Sequence, residues 1–273
     1  MSKPTVAFQG EHGAYGEAAV LKFFGDAELV PCARLSDVFD AVLQDRVEYG
    51  VVPVENSQAG SINETYDLLL SYPLGIYGEV NLRVSHCLMA LPGTKLKDVK
   101  KAYSHPQALA QCAEFLRRLN VEVVPVYNTA GGAKLISEAK MADAAAIASR
   151  QAAEIYGLEV LRENIETSPA NYTKFLVIST KKAKRQDKNK TSLVLVTKNT
   201  PGALYGCLGA FANRNINMLK LESRPRKDNP WEYVFYVDFE GHIEDEGTQQ
   251  ALKELETKTA FVKILGCYPQ AQS

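Results

Sequence analysis

The chain switches repeatedly between short apolar runs and amphipathic stretches, and glycine, proline or a capping residue marks most of the switches. Thr5 to Gln9 has the length and composition of a strand. Gly10-Glu11-His12-Gly13-Ala14-Tyr15-Gly16 follows, and Ala18, Ala19, Leu21, Phe23 and Phe24 then recur at helical spacing. Glu28 to Cys32 predicts a second strand, and Ser36-Asp37 caps a predicted helix carrying Val38, Phe39, Ala41, Val42 and Leu43. Val51 to Val54 predicts a buried strand, with Glu55, Asn56 and Ser57 emerging at its carboxyl end, where open α/β sheets present residues to ligands. Beyond Gly60, Ser61 is the expected N-cap of a helix reaching Ser71, with Glu64 three residues on as its capping-box partner.

From Leu74 to Leu91 the apolar positions predict two successive strands or one long bent strand, ended by Pro92-Gly93, that carries the chain from one lobe into another. The second lobe repeats the grammar. Ala102-Tyr103-Ser104 is a strand, His105-Pro106-Gln107 its turn, and Ala108, Leu109, Cys112, Phe115, Leu116 and Leu119 mark a helix. Pro106 suits the first helical turn, which leaves the N–H groups around Gln107 free to face an anion. Val121 to Val126 is a strand, Asn128-Thr129-Ala130-Gly131-Gly132 its loop and Ala133 to Ala139 its helix. Ala144 to Ala148 gives another strand, and Ser149 caps a helix ending near Gly157. Tyr172 to Ser179 alternates with period two, so Thr173, Phe175 and Val177 face one way and Tyr172, Lys174 and Leu176 the other.

Residues 181–190 are a basic, polar composition break, read as a solvated linker. Beyond it come a strand (Thr191 to Thr197), a helix (Pro201 to Asn213), strands at Ile216 to Arg224 and Glu232 to Glu240, a helix (Gly247 to Thr257) and a last strand (Ala260 to Tyr268). The order βαββαβ describes a ferredoxin-like unit of about 80 residues.

Composition narrows the function classes. With 31 basic and 32 acidic residues in 273, the formal charge of -1 gives no reason to expect nucleic acid or an anionic membrane. The start Met1-Ser2-Lys3-Pro4 lacks a secretory apolar region and no apolar run approaches membrane-spanning length, so a cytoplasmic location is expected. Five cysteines and four histidines lie scattered without a CxxC pair, which favours neither a disulfide framework nor a metal site.

Candidate chemistry collects after strands: the Gly10 to Tyr15 loop with Gly13, the triplet Glu55-Asn56-Ser57, Ser104-His105-Pro106-Gln107, Thr129 with its glycines, and Thr173. In a two-lobed α/β body these ends can face one cleft lined by neutral donors and helix N-termini, which suits a small dianion. Each alone has a plainer reading: Asn56 and Ser57 as turn formers, and Thr173 as a β-former in a strand. Ser104 beside His105 sits in no GxSxG elbow, which disfavours a nucleophilic hydrolase.

Val52-Pro53-Val54-Glu55-Asn56-Ser57 with Gly60, the run Ser104-His105-Pro106-Gln107-Ala108-Leu109-Ala110-Gln111-Cys112, and Asn171-Tyr172-Thr173-Lys174-Phe175 resemble the prephenate dehydratase family. Gly202-Ala203-Leu204 and Glu222-Ser223-Arg224-Pro225 are similar to that family's regulatory ACT domain. The resemblance implies a periplasmic-binding-protein-like catalytic domain over 1–180 (one lobe about 1–80 plus 158–180, the other about 81–157), a linker at 181–190, and a ferredoxin-like ACT domain over 191–273. It implies decarboxylative dehydration of prephenate to phenylpyruvate without cofactor or metal, feedback by L-phenylalanine, and a homodimer or homotetramer. Thr173 is the implied donor to the leaving hydroxyl, with Asn56, Ser57, Ser104 and Gln107 orienting substrate, and Glu55, His105, Thr129, Lys174 and Gly13 the further candidates for contact. Gly202, Ala203, Leu204, Glu222 and Ser223 are the implied phenylalanine-binding residues.

Two departures stand out. Gly16 replaces a residue that many members have as serine, and Lys174 replaces an arginine, which keeps the charge and loses the bidentate fork. Segments such as Gly78-Glu79-Val80 and His86-Cys87-Leu88 also resemble the arogenate dehydratases of plants, so arogenate is the alternative substrate. From another class, a non-catalytic two-lobed sensor of small anions accounts for the same cleft.

Overall fold

The computed structural model describes residues 3–226 and 232–271. In chain order the first elements are β1 (Thr5–Gln9), α1 (Tyr15–Phe24), β2 (Glu28–Cys32), α2 (Leu35–Leu43), β3 (Tyr49–Asn56), β4 (Gly60–Ser61), α3 (Asn63–Ser71) and β5 (Gly75–Arg83). There follow β6 (Cys87–Ala90), β7 (Lys101–Ser104), α4 (Pro106–Gln111), α5 (Ala113–Leu119), β8 (Glu122–Pro125), α6 (Thr129–Ala139), β9 (Ala144–Ala148), α7 (Arg150–Tyr156), β10 (Glu159–Arg162) and β11 (Tyr172–Ser179). The last are β12 (Asn189–Thr197), α8 (Ala203–Ala212), β13 (Met218–Pro225), β14 (Tyr233–Glu240), α9 (Glu246–Lys258) and β15 (Thr259–Pro269).

The first lobe is a six-stranded sheet in the order β2-β1-β3-β11-β5, with β4 paired to β3 off that path. β1 runs parallel to both β2 and β3. Val6, Ala7, Phe8, Val51 and Val52 are fully buried and Phe39 of α2 with them, as the two covered faces of a parallel sheet require. Burying each such large side chain stabilises the lobe by about 1.5–3 kcal/mol. The second lobe is a five-stranded sheet in the order β10-β6-β9-β7-β8, over a core that includes Leu88, Ala102, Leu109, Cys112, Ala145 and Ile147. Two α/β lobes are thus formed, the layout of a periplasmic-binding-protein-like body. β13-β14-β12-β15 make the third sheet, in the antiparallel ferredoxin-like order, with α8 and α9 supplying Cys207, Phe211, Ala251 and Leu255 to its core.

The chain divides into two compact units, Met1–Tyr66 with Val80–Leu176, and Asp67–Glu79 with Val177–Ser273, so both lobe sheets' cleft-facing ends fall in the first unit. Among the described residues no helix is long and apolar enough to cross a membrane.

Several local expectations change on folding. β3 continues through Glu55 and Asn56 instead of ending at Val54, because Glu55 pairs with Ser61 and Asn56 with Gly60. Ser61 is therefore in a strand and does not cap α3. α2 starts at Leu35, and its Asp37 carboxylate accepts the Arg34 backbone N–H at 3.1 Å, so Ser36 lies inside the first turn and does not cap it. Asn128 is the N-cap of α6, so Thr129 to Gly132, read as loop, form its first turn. β10, expected in the first lobe, pairs with β6 in the second. β12 begins at Asn189, so the solvated linker stops short of Lys190, which is buried.

Candidate active site

Asn56 ends β3 at 3% exposure and is held from both sides of its carboxamide. Its Oδ1 accepts from the Gln58 and Ala59 N–H groups at 3.1 and 3.0 Å, a side-chain mimic of a turn that reverses the chain into β4. With the oxygen committed there, the amino group points at β11. It donates to Asn171 Oδ1 (2.9 Å), Thr173 Oγ1 (3.0 Å) and the Tyr172 carbonyl (3.2 Å). Thr173, 8% exposed, thus has its oxygen lone pair occupied by a donor, while its own proton meets no acceptor among the described residues. A hydroxyl that accepts a bond is polarised as a donor, so the Thr173 proton is offered to the cleft.

The opposing wall is built on α4. His105 N-caps this helix, and its Nδ1 accepts from the Gln107 N–H at 3.2 Å. The free helix-terminal donor expected at Gln107 is therefore satisfied internally, and the bond fixes the proton of neutral His105 on Nε2. Burial lowers the His105 pKa below its ordinary 6.5, keeping the ring neutral. One turn on, Gln111 Oε1 accepts from Asn171 Nδ2 at 3.0 Å and lies 2.9 Å from His86 Nε2. Gln111 Nε2 reaches Asn56 Oδ1 and Asn171 Oδ1, each at 3.4 Å. His86 Nδ1 is in turn 3.0 Å from the Tyr15 hydroxyl.

Between these walls is a cleft of about 840 Å³ counting its open mouth, within the usual range of small-molecule sites. Among the described residues its lining contains Tyr15, Asn56, His86, His105, Gln111 and Thr173 but no lysine, arginine, aspartate or glutamate. Thr129 and Asn128 also border it. Asn128 accepts the Gly131 N–H, leaving the N–H groups of Thr129 and Ala130 without an intrahelical acceptor at the positive end of α6. At the mouth Tyr127, 62% exposed, donates to Glu11 Oε1 at 3.0 Å, and Lys134 donates to Glu11 Oε2 at 3.0 Å. Burial pulls the Glu11 pKa up, but the bonds from Lys134 and Tyr127 outweigh it and hold the carboxyl below its ordinary value.

Of the residues singled out in the sequence, the cleft brings together Asn56, Thr173, His105, Gln107 and Thr129. It does not include Ser57, Ser104, Glu55, Lys174 or Gly13. Ser57 Oγ is engaged by the Ala170 carbonyl and the Tyr172 N–H, splicing β3 to β11. Ser104 is fully buried and donates to the Ile147 carbonyl at 2.6 Å, tying β7 to its sheet. Strand alternation turns Glu55 and Lys174 away from the side taken by Asn56 and Thr173. Gly13 has φ +82°, and a Cβ there would meet the Ala152 backbone at 2.7 Å, so it serves close packing of the loop on α7. Sequence reading passed over Tyr15, His86, Gln111 and Asn171. All four fall inside quoted motifs, and membership of those motifs was the available signal.

In the second unit Gly202 N-caps α8 with φ 79°, followed by Ala203 and Leu204, and Tyr205 is 82% exposed. Glu222 and Ser223 lie on β13, on alternate faces.

A family model described as prephenate dehydratase matches residues 6–183, and one described as ACT domain matches 191–257. The chain is 42% identical, over 98% of its own length and 72% of the relative's, to an Arabidopsis thaliana protein named arogenate dehydratase/prephenate dehydratase 1, chloroplastic. A solved structure described as GqqA, a novel type of quorum quenching acylase, superposes with TM-score 0.89 at 36% identity, covering 97% of this chain and 98% of that one. The structure of a prephenate dehydratase in complex with L-Phe from Arthrobacter aurescens gives TM-score 0.88 at 31% identity, covering 97% and 89%. The matched motifs, the two-lobed cleft and the full-length likeness agree: the chain belongs to the prephenate dehydratase family of hydro-lyases and carries an ACT domain.

Proposed function

We propose that this protein converts prephenate to phenylpyruvate in the cytoplasm, as a homodimer or homotetramer, with catalysis in 1–180 and feedback by L-phenylalanine through 191–273. The observation that carries the reading is the Thr173 side chain, which lines the cleft while its oxygen accepts from Asn56. In the reaction the ring carboxylate leaves as carbon dioxide and its C–C electron pair becomes part of the aromatic ring. The C–O bond to the ring hydroxyl breaks, and that oxygen departs as water after taking up one proton. Charge develops on the departing oxygen, so a fixed donor there lowers the barrier. Thr173 is that donor, held by Asn56. His105 Nε2–H, Gln107 and the Thr129 end of α6 bind the carboxylates, while Ser57 and Ser104 fix the strands that carry the site.

Thr173→Ala is expected to lower kcat at least about tenfold, a loss of about 1.4 kcal/mol, and Thr173→Ser to retain most of it. Near-normal turnover by the alanine variant rejects the assignment. Assays with prephenate and arogenate in parallel, with and without phenylalanine, test the rest. Binding without turnover of either returns the chain to an anion sensor. Glu222→Ala is expected to blunt phenylalanine inhibition, by loss of a carboxylate for the effector's ammonium.

Arogenate is the second reading, and the cleft supplies its support. Arogenate carries an ammonium and one net negative charge where prephenate carries two, and a lining without lysine or arginine compensates one charge more easily than two. An acylase activity finds less support: Thr173 Oγ1 meets the Asn56 carboxamide and no histidine base, so Thr173 is not an activated nucleophile.

A further inference from the structure

Three hydrogen-bond contacts meet at the half-buried Tyr15 and the buried His86. Tyr15 Oη lies 2.6 Å from the Ser85 carbonyl and 3.0 Å from His86 Nδ1, and His86 Nε2 lies 2.9 Å from Gln111 Oε1. Two of these contacts end on oxygens that cannot donate, since Gln111 Oε1 is identified as oxygen by its bond from Asn171 Nδ2. A tyrosine and a neutral imidazole hold two protons for three contacts. The short contact to Ser85 claims the tyrosine proton, and Gln111 claims that of Nε2. Nδ1 then faces the tyrosine oxygen lone pair to lone pair unless the ring carries a second proton.

From His86 the donors run in one direction. His86 Nε2 donates to Gln111, Gln111 Nε2 to Asn56 Oδ1, and Asn56 Nδ2 to Thr173 Oγ1. Aligned carboxamides polarise one another, so charge placed at the head strengthens the bond at the tail. Glu166 supplies a counter-charge: its Oε2 accepts the His86 backbone N–H at 2.9 Å, and its buried Oε1 has no partner. Among the described residues, Tyr15 on α1 and Glu166 are the titratable groups that act on or touch the ring, and Cys87 on β6 and Cys112 at the α4–α5 junction lie near the Tyr15 hydroxyl.

We propose that His86 is a positioning residue that acts as an imidazolium, completing the Tyr15, His86, Gln111, Asn56 chain and thereby strengthening the Thr173 hydroxyl as a donor. Burial holds the ring's pKa below 6.5 in the free protein, against opposing influences from Gln111 and Glu166, and a dianion entering a cleft without lysine or arginine favours the charged form. His86 thus couples substrate charge to donor strength.

The proposal rests on the dehydratase reading, and pH profiles of kcat/KM for the full chain test it with whichever substrate is turned over. Activity is expected to fall as pH rises through the His86 pKa, below 6.5 in the free protein. His86→Gln keeps a donor toward Gln111 but cannot titrate. It is expected to lose that limb and to be about tenfold slower on its acid side. Tyr15→Phe removes the acceptor for Nδ1–H and is expected to move the limb to lower pH. A limb that survives His86→Gln, or stays in place in Tyr15→Phe, overturns the proposal. A chain that turns over neither substrate refutes the dehydratase reading instead. His86 is then judged by NMR titration of its imidazole in the full chain, where an unmoved pKa in Tyr15→Phe overturns the proposal.

Discussion

The cleft cluster of Asn56, Asn171, Gln111, His86 and Thr173 and the second-unit cluster of Lys190, Glu79, Asp238, Ser192 and Tyr268 are both buried and polar, but they are made differently. The first is built from carboxamides, a hydroxyl and one imidazole. In the second, Lys190 at 3% exposure meets Glu79 and Asp238, the latter at 3.2 Å. Ser192 donates to Asp238 Oδ1 at 2.6 Å and lies 2.7 Å from the Tyr268 hydroxyl, whose ring is 5.5 Å from the ammonium. The Ala271 N–H closes on Glu79 Oε1 at 3.0 Å. Carboxamides have a donating and an accepting end, so they can be strung head to tail toward one atom. An ion cluster has no such direction. It holds strands together, and its stability depends on every charge remaining paired.

The largest expected effect tests the ion cluster. Lys190→Met leaves the buried Glu79 and the half-buried Asp238 uncompensated and is expected to destabilise the full chain by about 3–5 kcal/mol in urea unfolding, while replacing Glu79 and Asp238 by leucine as well recovers most of it. Burial depresses the Lys190 pKa, but Asp238 and Glu79 outweigh it and hold it above 10.5. The stabilisation is therefore complete below pH 10.5 and is lost as pH rises through the higher folded value. A cost under about 1 kcal/mol for Lys190→Met would erase the contrast between the clusters.

Asn56→Ala tests the directed cluster. It is expected to lower kcat about a hundredfold, or about 2.7 kcal/mol, through loss of the bond to Thr173, with a smaller change in unfolding free energy than Lys190→Met. Equal losses of stability in the two variants would show that the carboxamides are structural. Glu11→Gln at the cleft mouth gives the smallest effect, a rise in KM of about threefold, because its partners are partly solvated. The Glu11 carboxyl titrates below its ordinary 4.5, so wild type and variant are expected to differ at neutral pH and converge as pH falls through that lower value.

Local pattern alone was enough for much of the scaffold. Thr5–Gln9, Glu28–Cys32 and Tyr172–Ser179 form over the predicted bounds, because their apolar periodicity and turn residues leave one solution. Period-two alternation also separates Thr173 from Lys174 before any fold is known. The site was half legible. Asn56, Thr173, His105, Gln107 and Thr129, expected from separate stretches of the chain, line one cleft, whereas Ser57, Ser104 and Gly13 carry the same polar or glycine signature and pack outside it.

What the sequence by itself determined is the order of elements, the two-lobed plan followed by a ferredoxin-like unit, and the motifs that show the family. Only the tertiary structure decided which groups are partners. Lys190 in a basic run reads as solvated, and becomes a buried ion because Glu79 and Asp238 arrive from distant strands. His86 reads as one residue of a strand, and heads a chain to Thr173 because Gln111 and Asn56 are brought to it across the cleft. Period and propensity report the backbone a residue prefers, whereas hydrogen-bond direction and charge compensation depend on atoms brought together from far along the chain.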